Sequence, residues 1–355
     1  MSASNSLDTK IITITGISGS GTKEFCKNYN PSGMRVKVYN TGEMIYQLAQ
    51  SQGSTPVPRE NLVNLHPEIL ASLRHKAFDS ILDQLDQDKL DFDRIIIDSH
   101  AQFFWNNVYT NSYDWKYLNG IQSDMFATIV DKPSAISERQ MKTPEGQAQK
   151  HSLRDLILWQ NIEVNVTQGW ASNYQKPMYV FSSKQKPVDM ESLLYNRFLI
   201  YSSFPMTDAE SLATKKIVNF KKRLRDLRKE IDQNETPIID PADIDIETDS
   251  QIAGELDTKT KDAIGAQTVH RDLNWDIGQA THVVAYYPDG KMSLSKGVSD
   301  ECTRARETGK FVYVVCPRKT MSPFMDIAHK VFKEEEDFFA FFKEHMKWAL
   351  EYYKR

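Results

Sequence analysis

Apolar and polar positions along this chain fall into short, fully apolar runs separated by longer stretches of helical periodicity. Lys10-Ile-Ile-Thr-Ile-Thr-Gly16, Met178 to Ser182, the run beginning at Phe198, Thr236 to Ile239, Val283 to Tyr286 and Phe311 to Cys316 read as strands. Such runs suit strands covered on both faces, as in parallel sheets. Lys215 to Ile231, Glu301 to Glu307 and Met325 to Tyr353 carry apolar residues at helical spacing, and Met190 to Tyr195 reads as a short closing helix. The pattern predicts an α/β protein of two domains, 9–196 and 197–355, divided near Tyr195-Asn196-Arg197. The halves share this rhythm without sharing sequence. Asp240 to Gln267 is acidic and poor in aromatics, which suits a lid or a mobile loop.

Composition narrows the function classes. The 355 residues suit two ordinary cores, and a formal net charge of -4 leaves no basic footprint for nucleic acid. Lysines and arginines do crowd one stretch, Lys215 to Lys229, which reads as a solvated helix face able to draw anionic nucleotides. Cys26, Cys302 and Cys316 have neither metal spacing nor a disulfide framework. Cys302 adjoins Glu301 but reads as packing. No histidine pair has helical metal spacing. No apolar run is long enough to cross a membrane, and no signal-peptide core is present, so the expected location is the cytoplasm. Met1 to Asp8 reads as a polar tail. Phe338, Phe339, Phe341, Phe342, Trp348 and Tyr352 read as core or as contact between copies, and a homo-oligomer is expected.

Candidate chemistry in the second half begins at Asp272-Leu-Asn-Trp275 and continues through the strand to Ser295-Lys-Gly-Val-Ser-Asp-Glu301. The loops after parallel strands meet at one sheet edge, and two carboxylates brought there can divide the breaking of a glycosidic bond. In this reading Gly297 makes a turn and Glu301 opens the following helix. The segment resembles the nucleoside 2-deoxyribosyltransferase superfamily and is closest to its 2′-deoxynucleoside 5′-phosphate N-hydrolases. The resemblance rests on Asp272-Leu-x-Trp, Ala280 to Ala285, and Ser295-x-Gly-Val-x-x-Glu301. It implies a Rossmann-like domain with Glu301 attacking the anomeric carbon, Asp272 handling protons on the base side, and Ser295 with Gly297 holding a 5′-phosphate. Tyr201 and Ser203, in the hydroxyl-rich turn after the first strand, would bind sugar or phosphate; alternatively that turn caps a helix through Thr207 or Asp208. Thr281 stands where the family usually has Asp, a change expected to alter base recognition. Pro288 to Met292 lengthens the loop before Ser295 and is expected to reshape the pocket mouth.

The first half opens on a strand followed by Gly16-Ile-Ser-Gly19-Ser-Gly21-Thr22-Lys23. A strand, a glycine-rich turn and a helix cradle phosphates on backbone N–H groups. Gly16 and Gly21 have P-loop spacing, but the lysine comes one position late and Lys23 occupies the hydroxyl position. This half resembles archaeal-type adenylate kinases over most of residues 10 to 195, through Val38-Tyr-Asn-Thr-Gly-Glu-Met44, Arg94-Ile-Ile-Ile-Asp98-Ser-His100-Ala101 and a Tyr117-Leu-Asn-Gly-Ile121 loop. The resemblance implies a parallel P-loop kinase-like sheet with flanking helices, ATP and Mg²⁺ as cofactors, Asp98 holding a magnesium-bound water, and His100 facing the acceptor. Arg139 would begin an arginine-bearing lid. The family's next arginines have no counterpart in Lys142 to His151, and Arg154 is the nearest. Thr22 then becomes a candidate metal ligand with Lys23 swinging in. Together the halves describe a bifunctional enzyme of small-molecule nucleotides, with no nucleic-acid or membrane partner. The competing expectation is a nucleotide sensor that binds without phosphoryl transfer; an idle paralogue is the third.

Overall fold

The computed structural model describes residues 9–52, 57–205, 211–232, 236–244, 257–289, 295–318 and 327–354. Thr207, Asp208, much of the acidic stretch after Asp240, and the lengthened loop from Gly290 to Met292 lie outside them. The chain divides into two compact units, Met1–Pro187 with Ile244–Gly265, and Val188–Asp243 with Ala266–Arg355. The helix Asp189–Tyr195, read from sequence as closing the first domain, groups with the second unit.

The first unit is built on β1 (Lys10–Thr15), β2 (Val36–Asn40), β3 (Arg94–Ser99), the hairpin β4 (Gln102–Trp105) and β5 (Val108–Asn111), β6 (Met125–Val130) and β7 (Met178–Ser182). Five of these form one parallel sheet ordered β2-β3-β1-β6-β7. Every residue of β3 and β6 is buried, which explains the apolar runs Ile95 to Ile97 and Met125 to Ala127 within them. The β4–β5 hairpin was not anticipated. Its two-residue turn, Asn106-Asn107, holds φ at 48° and 61°, the left-handed region that asparagine tolerates and tight hairpins require. Tyr117 to Ile121, expected as a loop, is instead part of the helix Trp115–Ile121, begun by Asp114 accepting from the Lys116 N–H at 2.7 Å. The helix Leu153–Tyr174 starts with a reciprocal cap between Ser152 and Asp155 and carries Glu163 beneath the first turn after β1.

The second unit holds β8 (Ile200–Ser203), β9 (Ile238–Ile239), β10 (His282–Tyr286), β11 (Phe311–Val315) and β12 (Lys330–Phe332). They form a parallel sheet ordered β12-β11-β10-β8-β9. The chain enters at β8, steps outward to the edge strand β9, and returns to the far side of β8 for the other three strands. The direction of winding therefore reverses between β8 and β10, where parallel α/β sheets open a crevice at their carboxyl ends. Phe220, from the helix Ser211–Ile231, stacks on Tyr286 at 4.1 Å, and Phe338, Phe342, Met346 and Ala349 close the core from the helix Glu335–Tyr352.

Several expectations change here. The basic stretch is not simply solvated: Lys221 pairs with Asp240 at 2.7 Å, Arg223 with Glu335 at 2.9 Å, and Arg228 with Asp189 at 3.5 Å. Met325 to Tyr353 is not one helix, because β12 precedes a helix that starts only at Glu335. Phe338 and Phe342 are core, while Trp348 and Tyr352 are exposed. The helix bearing Glu301 starts earlier than expected, at Lys296.

β10 begins on an unanticipated buried histidine. Thr281 Oγ1 donates to the Leu199 carbonyl and accepts from its N–H, both at 3.0 Å. His282 Nδ1 must then donate to that hydroxyl, at 2.9 Å, which leaves its Nε2 to accept from His345 Nε2 at 2.8 Å. Tyr313 OH lies 3.0 Å from the same His345 nitrogen. Burial holds His282 well below the usual histidine range and His345 at about 4, so both are neutral in the fold. The unfolded chain takes up these protons below about pH 6.5, so stability is full above that value and is lost as pH falls toward 4. Thermal unfolding of the full chain is expected at progressively lower temperature across this window. His345→Gln, which keeps a donor but cannot take the proton, should shrink the loss; equal acid sensitivity in the variant would remove the histidine pair as its source.

Candidate active sites

At the first site β1 runs directly into the glycine turn. Gly19 and Gly21 have φ of 85° and 95°, values that side-chain-bearing residues rarely adopt. A Cβ on Gly16 would fall 2.2 Å from Thr22 Oγ1, so a larger residue there would collide with the loop's own hydroxyl. Thr22 is buried and its hydroxyl is engaged by Ser20 Oγ at 2.8 Å, within the loop. Lys23 opens outward: its ammonium lies 3.8 Å from Glu43 and its side chain is 76% exposed. Glu43 is held more firmly by Arg59, at 2.7 Å.

Arg139 lies on the helix Pro133–Gln140, paired with Asp131, which also accepts from Ser183 Oγ at 2.6 Å. A Cβ added to Gly21 would meet Arg139 Nη1 at 2.9 Å, so this guanidinium stands against the turn. Asp98 is the next-to-last residue of β3, in register with Ile14 of β1 and Asn40 of β2. Burial raises it to about 6, against a hydrogen bond from the Asn40 amide. Among the described residues no lysine or arginine forms an ion pair with Asp98. A buried carboxyl beside a glycine turn, lacking a contacting cation, fits Mg²⁺ or its water, since Mg²⁺ is commonly held by one carboxylate plus substrate phosphates. Thr22 fits less well, its hydroxyl being turned to Ser20.

Two features here escaped the sequence. Glu163, fully buried, accepts from the N–H groups of Gly16 at 3.1 Å, Ala101 at 2.7 Å and Gln102 at 2.9 Å. Burial pushes it up to about 8 while those donors pull it back. It ties the start of the glycine turn to the end of β3. The other is a cavity of about 550 Å³ lined by Lys23, Asn40, Arg59, Arg74, His100 and Trp159, a size that accepts a nucleotide. His100, expected to face an acceptor, lines it and is kept neutral by burial, at about 4.

The second site lies at the carboxyl end of β8. Tyr201 and Ser203, two residues apart on one strand face, both reach Glu301. Tyr201 OH donates to Oε1 at 3.0 Å and Ser203 Oγ donates to Oε2. Burial raises Glu301 to about 7; the Ser203 bond opposes this and the charge of Asp272 adds to it. The Tyr201 phenol is held well above its usual range by burial and by Glu301. Asp272 lies in a π-helical segment, Arg271–Asp276, and Arg271 grips its Oδ1 with Nη2 at 2.8 Å and Nε at 2.9 Å. The structure thus gathers Tyr201, Ser203, Glu301 and Asp272.

Ser295 precedes the helix Lys296–Glu307 and makes no side-chain capping bond, and Lys296 is exposed and paired with Asp300 at 3.0 Å. Gly297 is an exposed residue of the first helical turn rather than a turn glycine. Glu301 therefore sits in the second turn instead of opening the helix. Thr281, expected to bear on base recognition, precedes β10 at the sheet edge opposite Ser203, where it pins Leu199. Cys302 is buried, and burial pushes its thiol up to about 12, consistent with packing. Arg271 and Asp276 were missed, although Arg271-Asp272 and Asp276 are spelled out within one turn of sequence.

Residues 15–156 match the protein family described as an AAA domain. No curated protein matches the chain significantly. Among solved structures, the tunicamycin resistance protein of Deinococcus radiodurans is 15% identical, aligned over 47% of this chain and 96% of its own, with a TM-score of 0.27. A Pyrococcus abyssi GTPase in apo form is 13% identical over 53% and 97%, with a TM-score of 0.28. The Pnkp1/Rnl/Hen1 RNA repair complex is 14% identical over 90% and 100%, with a TM-score of 0.29. Likenesses at these scores carry no weight for function, and none of these comparisons supports the deoxyribosyltransferase resemblance of the second half. Among the described residues no helix is long and apolar enough to cross a membrane. The strand, glycine turn and helix at Lys10 to Lys27, together with the AAA match, make the N-terminal part a P-loop nucleotide-binding domain.

Proposed function

We propose that the second unit cleaves the N-glycosidic bond of a (deoxy)nucleoside 5′-monophosphate, and that the P-loop unit binds ATP with Mg²⁺ and passes a phosphoryl group to a nucleotide in the adjoining cavity. The observation that carries the first part is the Glu301 carboxyl, held by the Tyr201 and Ser203 hydroxyls at the switch point of a parallel sheet. Glu301 attacks C1′, and the C1′–N electron pair leaves with the base, which takes a proton from the Asp272 side. Water then attacks C1′, returns a proton to that side and frees Glu301; a second base in place of water gives a transferase. In support of this reading, Glu301 is near neutrality in its titration and its side chain is fixed at both oxygens.

For the P-loop unit, the cavity and Asp98, which has no ion pair among the described residues, support ATP and Mg²⁺. Bound Mg²⁺ would supply charge neutralisation at the phosphates. Arg139 and Lys23 supply the remaining positive charge, Arg139 already lying against Gly21. One observation favours a sensor that binds without transfer: Lys23 is drawn outward to Glu43, away from the loop interior.

Glu301→Gln should abolish base release from nucleoside monophosphates, measured by chromatography, while leaving the fold intact. In the wild type, kcat/KM should rise about tenfold per pH unit below 7 and level off above about 8, as the carboxyl ionises. Wild-type release by the Gln variant would remove Glu301 from the chemistry.

Calorimetry should show ATP binding with Mg²⁺ present. Lys23→Ala should weaken it only modestly, because backbone N–H groups provide much of the grip and the ammonium points outward. Absence of binding by the wild type would contradict the P-loop assignment.

The start of the Lys296–Glu307 helix favours an anion. A nucleoside 5′-monophosphate should therefore be preferred over its nucleoside in kcat/KM, and Ser295→Ala should narrow the preference by roughly the 1.5–3 kcal/mol of one charge-assisted hydrogen bond. Equal values for both substrates would point to the deoxyribosyltransferase branch.

A further inference from the structure

β8 and β10 present one face to the helix Lys296–Glu307. Tyr201 is in register with Val283 and Ser203 with Ala285, so all of these share a side of the sheet, and the hydroxyls among them reach Glu301. The other side carries Val284 and Tyr286 into the core against Phe220. Tyr287 extends the first series. Its N–H continues the ladder by donating to the Val315 carbonyl at 2.9 Å, and strand alternation turns its ring to the side of Glu301. The ionisable groups around that ring agree: Cys302 and Glu301 from the helix, Cys316 from the end of β11, and Arg318. At about 3.3 Å per residue, Tyr287 stands roughly 7 Å further along the sheet than Ala285 and its neighbour Ser203, on the carboxyl side where the winding reverses.

Tyr287 is 1% exposed, and its hydroxyl is buried with no hydrogen-bond partner. Tyr201 and Tyr286 show the usual arrangement, their hydroxyls donating to Glu301 and Glu335. A buried hydroxyl left alone forfeits the bonds it makes to water in the unfolded chain, and phenylalanine would fill nearly the same volume without that loss. Burial holds the phenol above its usual range, so the group is a neutral O–H donor.

We propose that Tyr287 is a substrate-contact residue of the second site, its hydroxyl pairing with a ring hydroxyl of the substrate's sugar. The proposal rests on the reading of Glu301 as nucleophile. Attack at C1′ brings the sugar ring against Glu301, and the ring hydroxyls are then the polar groups nearest to it. They are neutral, as the buried phenol requires. A phosphate pressed against an uncharged donor would lose its water without compensation, and the start of the Lys296–Glu307 helix suits it better. Tyr287 therefore discriminates among sugars and not among bases.

Full-length wild type and Tyr287→Phe, compared on the ribo-, 2′-deoxyribo- and 2′,3′-dideoxyribonucleoside 5′-monophosphates of one base, test this contact. For each substrate the ratio of kcat/KM between the two proteins cancels the intrinsic lability of that sugar. The ratio should be about three- to tenfold in favour of the wild type wherever the paired hydroxyl is present, and about one where it is absent. The Tm of the free Phe variant should equal or exceed that of the wild type, because the hydroxyl removed has no partner in the fold. A ratio that is the same for all three sugars, or a Phe variant that melts lower, would overturn the proposal. If the wild type releases no base, the proposed function fails. Calorimetric titration of the same monophosphates then decides the contact through the same ratios in Kd, and absence of binding to the wild type overturns both.

Discussion

A carboxyl group taken out of water has to be met by donors, by a cation or by a proton, and the strand ends of both sheets collect such groups. Glu163 is met by three backbone N–H groups, and in being met it fixes where the glycine turn leaves β1 and where β3 ends. Asp98 is met by one amide, which leaves it part-protonated and receptive to a cation. Glu301 is met by two hydroxyls on one face of β8. Each compensation differs, and each suits the group to a different use: a structural tie for Glu163, and, in the proposed function, a metal-water ligand for Asp98 and a nucleophile for Glu301.

The topology explains why these groups converge. In both units the first strand in sequence lies inside the sheet, flanked on both sides by later strands, so the turn that follows it lies where later loops return. β1 delivers Gly16 to Gly21 between β3 and β6, and β8 delivers Ser203 beside β10. Backbone N–H groups suit phosphates at the first, whereas hydroxyls and a carboxyl suit a sugar carbon at the second. A chain carrying both would act on one class of molecule, nucleotides, in two places.

Much of this was legible in the residues. Buried parallel strands need Ile and Val on both faces, so Ile11 to Ile14, Ile95 to Ile97 and Val283 to Ala285 declare themselves. Gly19 and Gly21 do so because of their φ values, and the hydroxyl pair at Tyr201 and Ser203 because alternate strand positions share a face. What was illegible depends on contacts between distant residues or on unusual backbone. His282 meets His345 across 63 positions, and Glu163 meets Gly16 across 147. Gln102 to Asn111 gives no glycine signal because asparagines serve its turn. Ser295 and Gly297 look like loop residues, yet glycine is tolerated in a first helical turn, so the helix starts five residues before Glu301. Asp276 is recognisable only once the π turn brings it round to Arg271.

The central claim is a covalent bond between Glu301 and the sugar. Rapid acid quenching of the protein during turnover of a nucleoside 5′-monophosphate, followed by mass spectrometry of its peptides, reads this bond directly. The account predicts a sugar 5-phosphate adduct on the peptide containing Glu301, absent from Glu301→Gln. Base release at full rate with no adduct trapped, or an adduct on another residue, would contradict it.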